Sequence, residues 1–270
     1  MCFLSLPNAA EPEAVAVPQS QPLGQLVLTS CELPQSTSVW DAKKGVADLG
    51  IPKPVDHDHT EKVDYWVFLP NDYKEAGQGP GSPLLLFLHG AGERGNNTEL
   101  VKVHGPPKLL NGPQNEKCRQ DWPFLTVAPQ CKAGYCWSPG QLLLLLDEVE
   151  KRYHIDKSRV YVTGISMGGF GTWMLLNENA SRFAAAAPVC GGGDPAWAPK
   201  MVDTPIWDFH GDADGLVPLD FSQRMIDALE KADAKEVKLT VYPGVGHDSW
   251  TQTYVNPELY RWFLSKRKSR

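Results

Sequence analysis

The chain contains residues able to act as nucleophile, general base and orienting acid. Gly164-Ile165-Ser166-Met167-Gly168 fits the pattern G-x-S-x-G. A serine hydroxyl is a poor nucleophile unless a base sits within hydrogen-bond reach. This pattern sets the serine on a strained turn between a strand and a helix, so that the hydroxyl projects outward. The flanking positions must be small because other backbone segments pass close by. By average composition, a chain of this length shows the pattern by chance roughly one time in ten. Context therefore decides. The segment 160–163 reads as a strand and 167–179 as a helix, which is the setting the chemistry needs. An idle serine in a Gly-rich loop is the weaker reading.

The base and the acid are sought after later strands, in the order Ser, Asp, His. The loop 210–218, HGDADGLVP, follows an apolar strand at 205–209. It offers two acids, Asp212 and Asp214. His247 lies in PGVGHD, after the strand 237–242. Both loops are Gly-rich and follow strands, where open α/β sheets build their sites. The other histidines have plainer readings. His89 supports a loop by hydrogen bonding, and His210 braces the acid loop. His57 and His59 lie in the acidic run DHDHT, read as a solvated loop rather than a metal site. His104 and His154 have no motif around them, and His154 near a helix end suits the helix dipole. Asp248 is read as a helix cap or loop brace.

An acyl-transfer intermediate also needs preorganised N–H donors for its oxyanion. One is expected from Met167, directly after the nucleophile. The other is expected from the loop HGAGERG at 89–95, with the Ala91 amide favoured over Gly92. Glu93 and Arg94 are expected to form an ion pair that stabilises this loop. No metal and no organic cofactor is expected.

The elements that would position these groups alternate along the chain. Strands are expected at 63–69, 84–88, 123–128, 160–163, 184–189, 205–209 and 237–242. The run LLLFL at 84–88 is wholly apolar, as in a strand buried on both faces. Helices are expected near 99–110, at 139–153 behind the cap Ser138 and Pro139, and at 167–179, 219–231 and 257–265. This alternation predicts an α/β fold, one mostly parallel sheet with helices on both faces. Only about 15 residues separate the strands at 184–189 and 205–209, which leaves no room for a lid domain there. Residues 1–25 are expected to be a disordered leader or signal remnant, and 26–270 a single catalytic domain.

Bulk properties narrow the partners. The chain has 270 residues and a formal charge of −6, which argues against nucleic acid. The basic run at 266–270 reads as a solvated tail. No apolar stretch approaches the roughly 20 residues of a membrane span. There is no C-x-x-C pair among the six cysteines. Cys131 and Cys136 are close enough to close a small loop, and Cys118 and Cys131 flank a strand, so one disulfide is an even prospect. Asn8-Ala9-Ala10-Glu11 resembles the end of a signal peptide but lacks a basic start. A secreted or periplasmic location is thereby favoured over a cytoplasmic one.

The motifs HGAGERG, APQC, YVTGISMGGFGTW, PVCGGGD, FHGDADGLVP and YPGVGHDSW together resemble a bacterial group of α/β-hydrolases labelled predicted peptidases. That group is related to polyhydroxybutyrate-depolymerase-like and feruloyl-esterase-like enzymes. The resemblance covers roughly 62–264. It implies an α/β-hydrolase fold without a lid, and a triad of Ser166, Asp214 and His247. Asp214 is preferred over Asp212 on this ground alone. It also implies the Ala91 and Met167 amides as oxyanion hole. Trp137 and Trp250 look placed to line the cleft and bind substrate, while Trp173 reads as core and Trp197 as a weaker cleft candidate. The expected activity is that of a serine carboxylesterase acting on small or polymeric esters, aryl and hydroxycinnamoyl esters included. A serine peptidase and a non-catalytic binding protein of the same fold are the alternatives. Dienelactone hydrolases usually place Cys at the elbow, which weakens that reading.

Overall fold

A run such as Leu84-Leu85-Leu86-Phe87-Leu88 has no polar face, so it must be covered on both sides. It forms most of β3 (Ser82–Leu88), buried at every position. Leu84, Leu86 and Leu88 enter one core and Leu85 and Phe87 the other, as a period of two requires. The computed structural model describes residues 21–38 and 53–268. Within them, β3 is near the middle of an eight-stranded sheet of order β1-β2-β4-β3-β5-β6-β7-β8. The other strands are β1 (Leu26–Ser36), β2 (Val55–Phe68), β4 (Leu125–Pro129), β5 (Ile155–Ile165), β6 (Ala185–Val189), β7 (Ile206–Gly211) and β8 (Val237–Tyr242). The six strands from β4 to β8 pair in parallel, and β2 is antiparallel to both its neighbours.

Helices cover both faces. On one side lie α3 (Pro139–Arg152), α4 (Met167–Asn179) and α5 (Asp220–Lys231), with Leu145, Trp173 and Met225 in the first core. On the other lie α1 (Gly105–Leu110), α2 (Glu116–Asp121), α6 (Trp250–Val255) and α7 (Pro257–Ser265), with Leu110, Tyr254 and Phe263 in the second. The α3 cap forms as expected: Ser138 Oγ accepts the Gln141 amide. No helix among the described residues is long and apolar enough to cross a membrane.

Several expectations change. The leader of 1–25 does not run that far: Gly24 N–H already donates to Leu69 O at 2.8 Å, and β1 starts at Leu26. Residues 1–20 lie outside the described residues. His57 and His59 belong to β2 rather than to a loop, where both are exposed and His59 pairs with Asp56. The helix near 99–110 is broken into a 3-10 turn (Thr98–Lys102) and α1. Gly105 between them has φ +63°, and a Cβ there would strike the Phe87 ring. Lys266 and Arg267 of the basic run are tied to Glu236 and Asp156. No disulfide forms among the described residues: Cys136 Sγ instead donates to the Ser38 carbonyl, and the Cys131 thiol is buried.

Between β6 and β7 the chain makes only a short excursion with a 3-10 turn, Pro195–Lys200. No lid is inserted there. The turn from β5 into α4 is closely packed. A Cβ on Gly168 would overlap the backbone carbonyls of Leu88 and His89. Around Gly92 there is open space. Gly168→Ala should therefore lower the unfolding free energy by at least about 2 kcal/mol in a urea titration, since backbone cannot step aside. Gly92→Ala should change it by less than about 0.5 kcal/mol. Equal effects would refute this account of the turn.

Candidate active site

Ser166 sits between β5 and α4 with φ +52° and ψ −114°, a conformation costly for any residue but glycine. It is held there on several sides. Its amide donates to Val189 O at 2.9 Å, and its carbonyl accepts from Phe170 at 3.0 Å. A Cβ on Gly164 would strike the Gly168 backbone, and one on Gly168 the carbonyls of Leu88 and His89, so neither position has room for a side chain. A strained serine enforced by its surroundings is the expected mark of a functional turn.

The loops after β7 and β8 bring the partners. Ser166 Oγ lies 2.9 Å from His247 Nε2. His247 Nδ1 lies 2.7 Å from Asp214 Oδ2. The carboxylate can only accept, so Nδ1 carries the proton and Nε2 is left to take one from the serine. Asp214 Oδ1 accepts the amides of Leu216 and Val217, each at 2.9 Å. Burial pushes the Asp214 carboxyl up, but the His247 bond and these two amides outweigh it and hold it below its usual range. Asp212 plays a different part, accepting the Gly244 amide to tie the acid loop to the histidine loop. The choice of Asp214 over Asp212 thus has a geometric basis. Asp248 accepts the Thr251 amide and caps α6, which carries Trp250.

The two candidate oxyanion residues both open a helical turn. Met167 is the first residue of α4, and Ala91 begins a 3-10 turn, Ala91–Glu93. First-turn amides have no intrahelical acceptor. The loop carrying Ala91 is fixed from below by His89. That ring is fully buried; its Nδ1 donates to Gly90 O and its Nε2 accepts the Cys131 amide. Burial pushes its pKa down to about 4, so it stays neutral. Glu93 and Arg94 do not form the expected pair. Arg94 turns to the carbonyls of Ala91 and Tyr135, while Glu93 Oε1 lies 3.7 Å from His104 Nε2.

The tryptophans divide. Trp250 is half-buried at the site, edge-on to His247 with centroids 5.3 Å apart, and donates to His104 Nδ1. Trp137 is 4 % exposed and packs against Gly171 of α4. Its indole N–H donates to His89 O. It supports the loop 89–95 from beneath, its ring fills the space at Gly171, and its other edge lines a recess with Gln130, Tyr135 and Leu142 rather than the face of Ser166 and His247. Trp173 is core, as expected. Trp197 covers Gly193.

Two neighbours of the site escaped sequence reasoning. Cys190, at the end of β6, is fully buried with φ +43°. Its Sγ, an Asp214 oxygen and a His247 nitrogen lie within 4.8 Å of one another. This is the one cluster among the described residues with donor atoms suited to a metal, yet its carboxylate and imidazole already bind each other. Burial drives the Cys190 thiol far up, so it is not a competing nucleophile. The second is Asp208 in β7, fully buried. A polar residue inside the apolar run IWDF was the available signal.

Comparison with known proteins bears on the fold and on the esterase-like group. Residues 139–255 match the Dienelactone hydrolase family, although the elbow carries Ser166 where a cysteine was expected for such enzymes. The chain is 31% identical over 168 residues to a bifunctional acetylxylan esterase/xylanase of Neocallimastix patriciarum, covering 54% of this chain and 23% of that one. It is 44% identical over 129 residues to poly(3-hydroxyalkanoate) depolymerase C of Paucimonas lemoignei, covering 43% and 30%. The chain thus spans less than a third of these two relatives. A solved thermostable esterase superposes with TM-score 0.67 at 32% identity, over 78% of this chain and 61% of its own. The chain has an α/β-hydrolase fold and is similar to esterase-like members of that fold.

Proposed function

We propose that the chain hydrolyses carboxyl esters through an acyl-enzyme on Ser166. The observation that carries this reading is the unbroken line from Ser166 Oγ through His247 to Asp214, at 2.9 and 2.7 Å. In the first step Ser166 Oγ attacks the ester carbonyl while His247 Nε2 takes the hydroxyl proton. Asp214 stays ionised and stabilises the imidazolium. The oxyanion settles against the Ala91 and Met167 amides. His247 then returns the proton to the leaving alcohol. Water, activated by the same base, releases the acid and restores the serine.

The surroundings support a substrate class. No lid interrupts the chain between β6 and β7, and Leu216, two residues beyond Asp214, is 68 % exposed. Trp250 offers an aromatic edge beside His247. An open, partly apolar face suits esters with a bulky aryl, hydroxycinnamoyl or polymeric part. The relatives that act on acetylated xylan and on a polyester support the same class.

Two variants test the reading. Ser166→Ala should lower kcat on p-nitrophenyl acetate and methyl ferulate by several orders of magnitude. Undiminished turnover would refute it, and cleavage of a peptide p-nitroanilide in preference to both esters would replace it with a peptidase reading. Ala91→Pro removes the proposed oxyanion N–H at little structural cost. Proline suits the first position of a helical turn, and Gly90 (φ −78°, ψ −178°) already has the extended form that a residue before proline needs. We expect kcat to fall about 10²–10³-fold with KM little changed. An unaltered kcat would remove Ala91 from the mechanism.

A further inference from the structure

β7 lies inside a parallel sheet, yet it carries two buried polar side chains two residues apart, Asp208 and His210, which therefore share a face. Ser222 of α5 is fully buried against them. His210 Nδ1 lies 2.7 Å from Ser222 Oγ. His210 Nε2 lies 2.8 Å from the Val217 carbonyl and 3.3 Å from Asp214 Oδ2. Asp208 Oδ1 accepts the Phe209 amide at 2.8 Å. Its Oδ2 has no hydrogen-bond partner, and the Ser222 hydroxyl flanks the carboxyl.

Counting protons orders this cluster. Val217 O can only accept, so His210 Nε2 carries a hydrogen. Burial holds the His210 pKa below its usual range, so the ring is neutral and Nδ1 is bare. At 2.7 Å Ser222 gives its single proton to Nδ1 in preference to the Gly191 carbonyl at 3.5 Å. Only lone pairs then remain on Ser222 to face Asp208. An ionised Asp208 would set acceptor against acceptor and bury a charged oxygen with no donor. A neutral acid buries no charge and sets an O–H, not further lone pairs, beside Ser222.

We propose that Asp208, Ser222 and His210 form a buried positioning relay that fixes His210 as its Nε2–H tautomer, braces Val217 and Asp214, and so holds the acid loop against His247. The effect on turnover rests on the esterase reading above, but the relay itself does not. Complete burial pushes Asp208 up to about 8, which keeps it protonated at neutral pH. The groups facing it are Ser222 from α5, the Phe209 amide and neutral His210 of β7, and the Cys190 thiol after β6. Ser222 and the Phe209 amide favour its ionisation, but burial outweighs both, and no cation among the described residues adds to them. Once ionised, Asp208 would draw the Ser222 proton to itself and leave Nδ1 without a donor.

Three measurements test the relay on the intact chain. In ¹⁵N-histidine-labelled protein near pH 7, His210 should be neutral with hydrogen on Nε2. Asp208→Asn should preserve that state, because its amide N–H replaces the acid O–H. Ser222→Ala should shift the Nδ1 signal. An imidazolium or Nδ1–H form in the native protein, or no shift in Ser222→Ala, would overturn the relay.

The second is thermal unfolding against pH. The folded pKa of Asp208 lies above its unfolded value of about 4. Folding therefore takes up a proton between about 4 and about 8, and stability declines across that window as pH rises. Asp208→Asn should match the native protein at pH 4 and melt higher at pH 7. A parallel pH dependence would contradict a neutral Asp208. The third is turnover: native kcat should fall several-fold as pH passes about 8, and Asp208→Asn should not show that fall. Identical profiles would overturn the link to catalysis. If no ester is turned over at all, the esterase reading fails while the first two measurements still decide the relay.

Discussion

The backbone of Ser166 is the constraint on which the rest depends. A residue at φ +52°, ψ −114° stores roughly 1–3 kcal/mol of strain. It persists because the sheet leaves no alternative. β3 passes beneath with the Leu88 and His89 carbonyls where a Cβ on Gly168 would stand, and β6 supplies Val189 O to the serine amide. The strain turns the hydroxyl out of the sheet and, in the same step, starts α4 at Met167. One distorted residue thus sets both the proposed nucleophile and a helix N-terminus beside it, where developing negative charge is favoured.

Three histidines surround this point, and burial divides their labour. His247 alone is partly open to solvent and faces both an acid and a hydroxyl. His89 and His210 are fully buried, held neutral, and each accepts at one nitrogen while donating to a carbonyl with the other. A neutral imidazole can do this; a charged one cannot, since both nitrogens would donate. His89 fixes the loop of the proposed oxyanion donor, and His210 fixes the loop of the acid. Trp137 adds to the first of these from below.

Much of this was legible in the sequence because the cause is local. The wholly apolar run at 84–88 and the Val- and Tyr-containing run at 160–163 read as inner strands, and G-x-S-x-G between a strand and a helix has few other uses. What was not legible depends on distant partners. β1 was missed because it is an edge strand: many of its residues are half-exposed, and its pairing slips at Pro34, which has no N–H to give. The helix near 99–110 breaks because Gly105 must clear the Phe87 ring, a contact between segments 18 positions apart. Trp137 reads as a cleft residue from its place after APQC, but the missing side chain of Gly171 draws it into the core. Asp208 shows in the sequence only as a polar residue in an apolar strand, because its burial beside Ser222 depends on the docking of α5.

The account stands on Ser166 being an activated hydroxyl rather than a strained but idle one. The most direct measurement is stoichiometric labelling of the folded chain with a fluorophosphonate probe, followed by peptide mass mapping. The account predicts one adduct per chain, on Ser166, that disappears in His247→Ala while the fold survives. Absence of labelling in folded protein, or an adduct on another residue, would contradict it.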